Sequence, residues 1–298
     1  MPAAARDIRW VFMGPDGFRA GWRFLVFAGL YILSGYPVFG LVGRLYAFSD
    51  TGFTPADLLV AKIADGASLL IISLVLARLE KHRAAWFGLA FEKNTLKMFG
   101  TGCLFAVTTV TSLLLISWTC GYVSFAGLTV HGADLWKYLT LWLAAMLVAG
   151  FAEELQFRGY VFSALSRGLG FWPAALGLSL LFGAEHFTKP MENVPDILNI
   201  VLLGLLLCYS VRRTGSLWFA IGFHGAFNLF SLGLYGSPNT GTQGLPLEHH
   251  ILDTHIAGPA WLTGGPQGLE ASWLLPLMVL AMFALLHRLY PQDRFPRE

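Results

Sequence analysis

Charged residues are scarce in this chain of 298 residues. Asp, Glu, Lys and Arg together make up 13% of it, against roughly 25% in an ordinary globular protein. Hydrophobic residues make up 55%, and the mean hydropathy is +0.60. So little polar surface cannot cover a soluble core, and the chain therefore needs lipid as part of its solvent. The composition excludes a soluble globular protein and a disordered chain.

Cysteine and clustered basic charge are scarce as well. The three cysteines, Cys103, Cys120 and Cys208, all lie in apolar runs. We therefore predict small buried hydrophobic side chains rather than a disulfide framework or a metal knuckle. The net charge is only +2, and no basic stripe lies away from the predicted helix ends, which excludes nucleic acid as a partner.

Long apolar runs are what the sequence has instead. A membrane-spanning helix needs about 20 apolar residues, and eight stretches are candidates. They cover residues 22–46, 58–79, 99–123, 136–165, 171–187, 197–211, 217–235 and 273–289. The sequence therefore predicts an all-α fold, a polytopic membrane helix bundle of about eight transmembrane helices in one integral membrane domain over residues 1–298. We expect the first stretch to be a membrane helix, because its run of about 25 residues is too long for the apolar region of a signal peptide.

The distribution of Lys and Arg predicts the orientation of these helices. With the N-terminus in the cytoplasm, most of the 20 Lys and Arg residues fall in cytoplasmic segments. Only Arg44, Lys137 and Lys189 fall in the opposite loops, whereas Lys62 and Arg158 lie inside spans. Because basic residues favour the cytoplasmic side, we expect both termini to be cytoplasmic.

One long loop, residues 236–272, is predicted on the outer side. It is rich in Gly and Pro and contains no Lys or Arg. Its segment WLTGGPQGLEA, residues 261–271, is too apolar for a solvated linker. We expect part of the loop to fold back as a re-entrant segment, which is tolerated where protein buries the backbone.

Ionisable residues inside the spans are the first candidates for function, because placing them in lipid costs free energy. The ionisable residues are Glu153, Glu154, Arg158, Glu185, His186 and His224, and the amide residue Asn228 is considered with them. Counted at about 1.5 Å per residue from the cytoplasmic helix ends, Glu153 lies about 18 Å deep, His186 about 22 Å and His224 about 15 Å. This common depth near the bilayer midplane would allow one bundle to bring the three together.

Helical spacing predicts which of these side chains share a face. Glu154 and Arg158 are four residues apart, which predicts an ion pair, whereas Glu153 is rotated away from them. His224 and Asn228 share a face in the same way.

Other polar residues receive structural interpretations. Lys62 and Asp65, three residues apart in the second span, are expected to shield each other. Glu185 is expected to have a structural role and Phe182 a packing role. A metal patch in the outer loop is disfavoured, because no Cys or carboxylate accompanies its histidines at a suitable spacing. These histidines are His249, His250 and His255.

A carboxylate, two imidazoles and an amide in a cavity of low dielectric constant suit the activation of water. Glu153 would act as general base, and His224 and Asn228 would donate hydrogen bonds to the oxyanion of a tetrahedral intermediate. His186 would hold the water or protonate the leaving amine. The alternative is a metal, because Glu153, His186 and His224 also form the ligand set of a catalytic zinc site. Both routes lead to amide hydrolysis, and the residues leave the choice open.

Three short motifs carry a resemblance to a known family. EELQFRG, FGAEH and HGAFN occur in this order on separate predicted spans. They resemble E-E-x-x-x-R, F-x-x-x-H and H-x-x-x-N, the motifs of the CAAX-protease and bacteriocin-processing family of intramembrane peptidases, which includes the type II CAAX prenyl endopeptidases. The resemblance extends from Tyr138 to the last span, and residues 138–235 form the predicted core that carries the motifs.

The resemblance implies a membrane-embedded endopeptidase. The catalytic residues that it implies are Glu153, Glu154, Arg158, His186, His224 and Asn228. Glu153 would activate water and Asn228 would support the oxyanion, while Glu154 and Arg158 would orient the site. Zinc and a metal-free glutamate mechanism are both compatible with the family. The implied partners are the lipid bilayer and a membrane-associated protein, lipidated or bacteriocin-like, in a bacterial cytoplasmic membrane.

Two other functions compete with a peptidase. A proton-coupled transporter would use Glu, His and Arg near the midplane as a relay. Transporters commonly have paired repeats, whereas the polar residues here crowd spans four to seven. A non-catalytic membrane scaffold or immunity protein would keep the same residues as structural contacts, and it would tolerate the substitution Glu153→Gln.

Overall fold

The computed structural model describes residues 9–14, 17–50, 54–187, 191 and 193–295. Its helices are α1 (Arg9–Phe12), α2 (Ala20–Leu45), α3 (Pro55–Leu79), α4 (Thr95–Thr119), α5 (Gly132–Arg158), α6 (Tyr160–Leu169), α7 (Phe171–His186), α8 (Val194–Thr214), α9 (Trp218–Asn228), α10 (Ala260–Thr263) and α11 (Leu275–Leu289). Short strands β1 (Met13–Gly14) and β2 (Gly17–Phe18) form one antiparallel pair, and β3 (Val123–Leu128) and β4 (Leu252–Ile256) form another. A π-helical turn, Leu229–Leu234, continues α9.

Five helical stretches are long and apolar enough to cross a membrane. They are α2, α3, α4, the stretch Gly132–Leu169 formed by α5 and α6, and α8. The predicted all-α class is therefore confirmed, and each of the eight predicted spans overlaps a helix. α7, α9 and α11 are shorter, so the number of eight crossings and the cytoplasmic position of both termini stay predictions.

The fourth predicted span is two helices rather than one. α5 ends at Arg158 and α6 begins at Tyr160, with Gly159 between them at φ −78° and ψ −126°, outside the helical region. A Cβ atom at position 159 would collide with the backbone carbonyl of Leu155. The break therefore comes directly after the arginine of the first motif.

Local capping explains where two of the long apolar helices begin. Thr54 and Asp57 form a capping box at the start of α3, and Pro55 occupies its first turn. Asn193 caps α8 by accepting a hydrogen bond from the backbone N–H of Asp196. Such caps satisfy backbone donors that the first helical turn leaves without a partner.

α9 lies at the centre of the bundle, where Phe219–Phe227 are all buried. It packs closely against α4 and α5 through glycine. A Cβ atom on Gly222 would collide with the carbonyl oxygen of Phe99, and one on Gly150 of α5 would lie 2.7 Å from the backbone nitrogen of Gly225. Small residues let membrane helices approach closely. This packing brings the first motif on α5 beside the third motif on α9.

The long loop 236–272 is largely folded onto the helices. β4 pairs with β3, and Leu262 and Leu269 are buried. The Asn199 side chain on α8 donates hydrogen bonds to the backbone carbonyls of Glu270 and Ser272, at 2.8 and 3.0 Å. The segment therefore packs against protein, and its predicted entry into the membrane stays a prediction.

The cysteines are free, as predicted, but they are not equally buried. Cys208 is buried and Cys103 half-buried, whereas Cys120 is exposed. The prediction of a buried side chain was wrong for Cys120, because this residue caps the C-terminal end of α4, where the chain leaves the packed helix.

We expect Gly150→Ala to destabilise the bundle. The added methyl group would press on the backbone of α9, and overpacking of this kind costs about 1–3 kcal/mol. The midpoint of thermal unfolding in detergent should fall. Gly29→Ala on α2 is the matched control, since no atom lies within 4 Å of a Cβ built there, and its midpoint should stay level or rise slightly. Equal midpoints for both variants would contradict the proposed close packing.

Candidate active site

A cavity of about 310 Å³ lies among α3, α5, α7, α8 and α9. Glu153, His186, His224 and Asn228 line it, so the fold brings residues of all three motifs to one place. The other lining residues are mainly Leu, Phe, Ile and Met, with Asn239, Leu247 and Glu270 contributed by the loop 236–272. A mostly apolar cavity with a few convergent polar groups is typical of a substrate site.

Glu153 reaches the cavity from α5 with both carboxylate oxygens engaged. Oε1 accepts a hydrogen bond from Nζ of Lys62 at 2.8 Å, and Oε2 lies 3.4 Å from Nε2 of His224. The Glu153 side chain is 21% exposed, which leaves room for a small molecule beside it. A carboxylate has about four lone-pair positions, so these contacts do not exhaust its capacity to accept hydrogen bonds.

His224 lies between the two carboxylates of the first motif. Its Nδ1 is 2.8 Å from Oε1 of Glu154, on the opposite side of the ring from Glu153. An ionised carboxylate only accepts hydrogen bonds, so we assign a proton to Nδ1. Glu154 thus orients the imidazole so that Nε2 points towards Glu153.

Glu154 and Arg158 form the ion pair that helical spacing predicts. Oε1 of Glu154 lies 3.1 Å from Nη1 of Arg158, and both side chains are fully buried. The guanidinium group also lies over the ring of Phe182, 4.6 Å from its centroid. Because Glu154 contacts His224 as well, this pair supports the ring from behind the cavity wall.

Phe182 and His186 of the second motif occupy the last turns of α7. Nδ1 of His186 lies 2.9 Å from the carbonyl oxygen of Phe182. The Phe182 ring meets the His186 ring edge-on at 5.1 Å and the His224 ring at 6.1 Å. The packing role predicted for Phe182 is therefore to contact both histidines and Arg158 with its ring.

Lys62 lies within reach of Asp65, as helical spacing predicts, but its closer partner is Glu153. Its Nζ is 3.9 Å from Asp65 and only 2.8 Å from Glu153, while Asp65 accepts a hydrogen bond from the Tyr31 hydroxyl at 2.6 Å. Sequence spacing favoured the partner on the same helix. By the predicted orientation α3 starts on the outer side, so a rise of about 1.5 Å per residue places Lys62 about 10 Å from that side. Glu153, about 18 Å from the cytoplasmic side of a core of about 30 Å, lies about 12 Å from the outer side, and this similar depth could have indicated the contact.

Glu185 lies apart from the cavity on an exposed face. The side-chain amide of Gln156 donates a hydrogen bond to its Oε1 at 2.9 Å. Glu185 therefore offers a comparison for Glu153, because both carboxylates belong to the same bundle and only one lines the cavity.

The side chains, as the structure places them, do not fit a zinc ion. A catalytic zinc needs three ligands about 2.0–2.3 Å from one point. In the part of the chain that the structure describes, no three His, Cys, Asp or Glu side chains are grouped in that way. An ammonium group also lies against Glu153 Oε1. The zinc alternative with Glu153, His186 and His224 therefore stays a prediction without support from the geometry.

Two of the three outer-loop histidines are held by other contacts. His249 stacks on Tyr138 with ring centroids 4.1 Å apart, and Nδ1 of His250 lies 2.7 Å from the Leu247 carbonyl. His255 lies on β4 and is exposed. No metal group forms from them among the described residues.

We expect Arg158→Met to destabilise the protein strongly, because it would leave the Glu154 charge buried without its partner. Breaking a buried pair typically costs about 3–5 kcal/mol. The double variant Glu154→Gln with Arg158→Met removes both charges, so it should recover part of the loss in the midpoint of thermal unfolding in detergent. A double variant that is less stable than Arg158→Met alone would contradict this account.

Comparison with known proteins identifies the segment that carries the motifs. Residues 134–230 match the family model described as Type II CAAX prenyl endopeptidase Rce1-like. The chain is also similar to the uncharacterized protein YyaK of Bacillus subtilis (strain 168), with 30% identity over 118 residues. That alignment covers 37% of this chain and 39% of the relative, so it spans about two-fifths of the relative's length.

The family match covers all three motifs, from Glu153 to Asn228, and confirms the resemblance predicted from them. Over this segment, the chain is similar to the CAAX-protease and bacteriocin-processing family.

Proposed function

We propose that this protein is an intramembrane endopeptidase that uses Glu153 to activate water. The observation that carries the proposal is the meeting of Glu153, His186, His224 and Asn228 around one cavity. The family match supports a protease-type enzyme. The five long apolar helices support an integral membrane protein, which we propose lies in a bacterial cytoplasmic membrane with both termini in the cytoplasm.

Peptide hydrolysis requires a base that takes a proton from water. The Glu153 carboxylate is within 3.4 Å of His224, and a water molecule beside Oε2 would lie between these groups and a substrate carbonyl. As the water oxygen attacks the carbonyl carbon, Glu153 accepts its proton. The C–N bond then breaks, and a proton passes to the leaving nitrogen, from Glu153 or from His186 on the second motif.

The tetrahedral intermediate carries a negative charge that donors must stabilise. Asn228 lies one helical turn from His224, and both line the cavity, so the two can face one oxyanion. His224 donates through Nε2 when the ring carries both protons, because Nδ1 is committed to Glu154. In that form its positive charge is balanced by the carboxylates on either side.

The cavity wall favours an apolar substrate segment. Its lining is dominated by residues such as Leu203, Leu207, Phe223 and Phe227. Burial of apolar substrate groups there would contribute binding energy, while peptide polar groups would face the motif residues. We propose a membrane-associated protein substrate, either lipidated or bacteriocin-like.

The function is tested by comparing protein termini in membranes from cells that carry wild-type protein or Glu153→Gln. We expect new N- or C-termini with wild type and a loss of at least about 10²-fold with the variant, since general-base catalysis contributes about that much or more. His224→Ala should have the same effect. Glu185→Gln is the matched control and should keep wild-type levels, because its carboxylate lies outside the cavity wall.

Identical termini with wild type and Glu153→Gln would contradict a peptidase. If the variant also preserved the cellular phenotype, a scaffold or immunity protein would be favoured. If it abolished the phenotype, a transporter would be favoured.

The metal-free route makes a separate prediction. We expect enzyme purified without added metal and treated with a chelator to retain its activity, because Lys62 already pairs with Glu153 and no ligand group converges on a metal position in the described residues. Elemental analysis should find zinc well below one equivalent. Stoichiometric zinc that is lost in His186→Ala would overturn this route in favour of a zinc enzyme.

A further inference from the structure

Lys62 belongs to a helix outside the segment 134–230 that matches the family model, yet it lies in the cavity wall. α3 packs along α5, with Gly66 close to the side chain of Ala152. A Cβ atom on Gly66 would be 3.3 Å from that of Ala152. Lys62 is one turn before Gly66 and Glu153 directly follows Ala152, so this helix contact aligns the ammonium group with the carboxylate.

The Lys62 ammonium group points towards the neighbouring helix α5 rather than towards Asp65 on its own helix. Its distance to Glu153 Oε1 is 2.8 Å, against 3.9 Å to Asp65 Oδ2. The Tyr31 hydroxyl binds the other oxygen of Asp65. A lysine inside a membrane span is costly, and mutual shielding would require only the neighbour on α3. The short contact with Glu153 therefore indicates a role in the cavity.

The two partners of Glu153 compete for its carboxylate. Lys62 holds Oε1, and His224 lies 3.4 Å from Oε2, farther than in a close hydrogen bond. Without the ammonium group, the carboxylate can turn fully towards the imidazole. That turn would close the position for water and occupy the Nε2 donor that the oxyanion needs.

We propose that Lys62 is a positioning residue of the hydrolytic site, which holds Glu153 away from His224 so that a water molecule fits between the base and the substrate. The proposal rests on the peptidase function proposed above. It assigns to an ammonium group on α3 the charge balance that a metal ion would provide in a zinc peptidase. No proton or electron leaves Lys62 during the reaction, since its part is to orient the base.

The contact itself is tested without an activity measurement. Dicyclohexylcarbodiimide enters the membrane, activates a carboxyl group and lets an adjacent amine form an amide, with the carbodiimide leaving as its urea. Mass spectrometry of the treated wild-type protein should find an isopeptide link between Lys62 and Glu153. The link should be absent in Lys62→Met. A wild-type link from Lys62 to Asp65 and none to Glu153 would overturn the proposal.

The positioning role is tested with a fluorescent peptide that spans the cleavage site found in the membranes. We expect Lys62→Met to lower kcat by about 10²-fold and to change KM by less than about threefold, because the base is misplaced while the apolar wall is intact. Lys62→Arg should recover at least about a tenth of wild-type kcat, since it restores a cation. Butylammonium should partly restore Lys62→Ala.

The control is Lys97→Ala, which removes an exposed lysine from α4 and should leave kcat unchanged. Wild-type kcat in Lys62→Met would overturn the positioning role while leaving the peptidase function intact. A kcat lost equally in the Met, Arg and Ala variants, with no response to butylammonium, would also overturn it and indicate a structural role. If neither wild type nor Glu153→Gln cleaves the peptide, the result contradicts the peptidase function itself and not only the role of Lys62.

Discussion

Burial of charge inside a lipid-facing bundle is the constraint on which the rest of this structure depends. Five groups form one chain of neighbouring contacts, in the order Arg158, Glu154, His224, Glu153 and Lys62. Each carboxylate lies between two groups that can carry positive charge. A buried charge is tolerated when it is paired and hydrogen-bonded. This chain of charged contacts therefore connects α3, α5 and α9 at one level of the bundle.

Close helix packing makes this charge chain possible. Helices in lipid gain little from the hydrophobic effect between them, so van der Waals contact and hydrogen bonds decide their association. Gly150 and Gly225 allow α5 and α9 to touch at the backbone. Short side chains such as Glu and His can then reach across. After Glu154, the break at Gly159 ends α5 as soon as Arg158 is in place. The polar site therefore depends on the close helix packing that the glycine contacts allow.

Contacts within a motif were predictable because the residues of each motif lie on a single helix. The pair Glu154–Arg158 follows from a spacing of four residues, and the structure bears it out at 3.1 Å. The break after Arg158 and the exposure of Cys120 were not predicted, because hydropathy reports the length of an apolar run and not where a helix bends or ends. The closer partner of Lys62 was not predicted, for a related reason. Spacing favours Asp65, but side-chain reach and the Tyr31 hydroxyl direct the ammonium group to α5.

By itself the sequence determined the all-α class, the apolar helices, the position of each polar residue along its helix and the faces that they share, because these follow from composition and the local helical repeat. Only the tertiary structure decided which faces meet. Lys62 and Glu153 are 91 positions apart along the chain, and His224 and Glu154 are 70 apart. Their contacts depend on the closeness and register of three helices, which glycine packing sets and no local pattern reports.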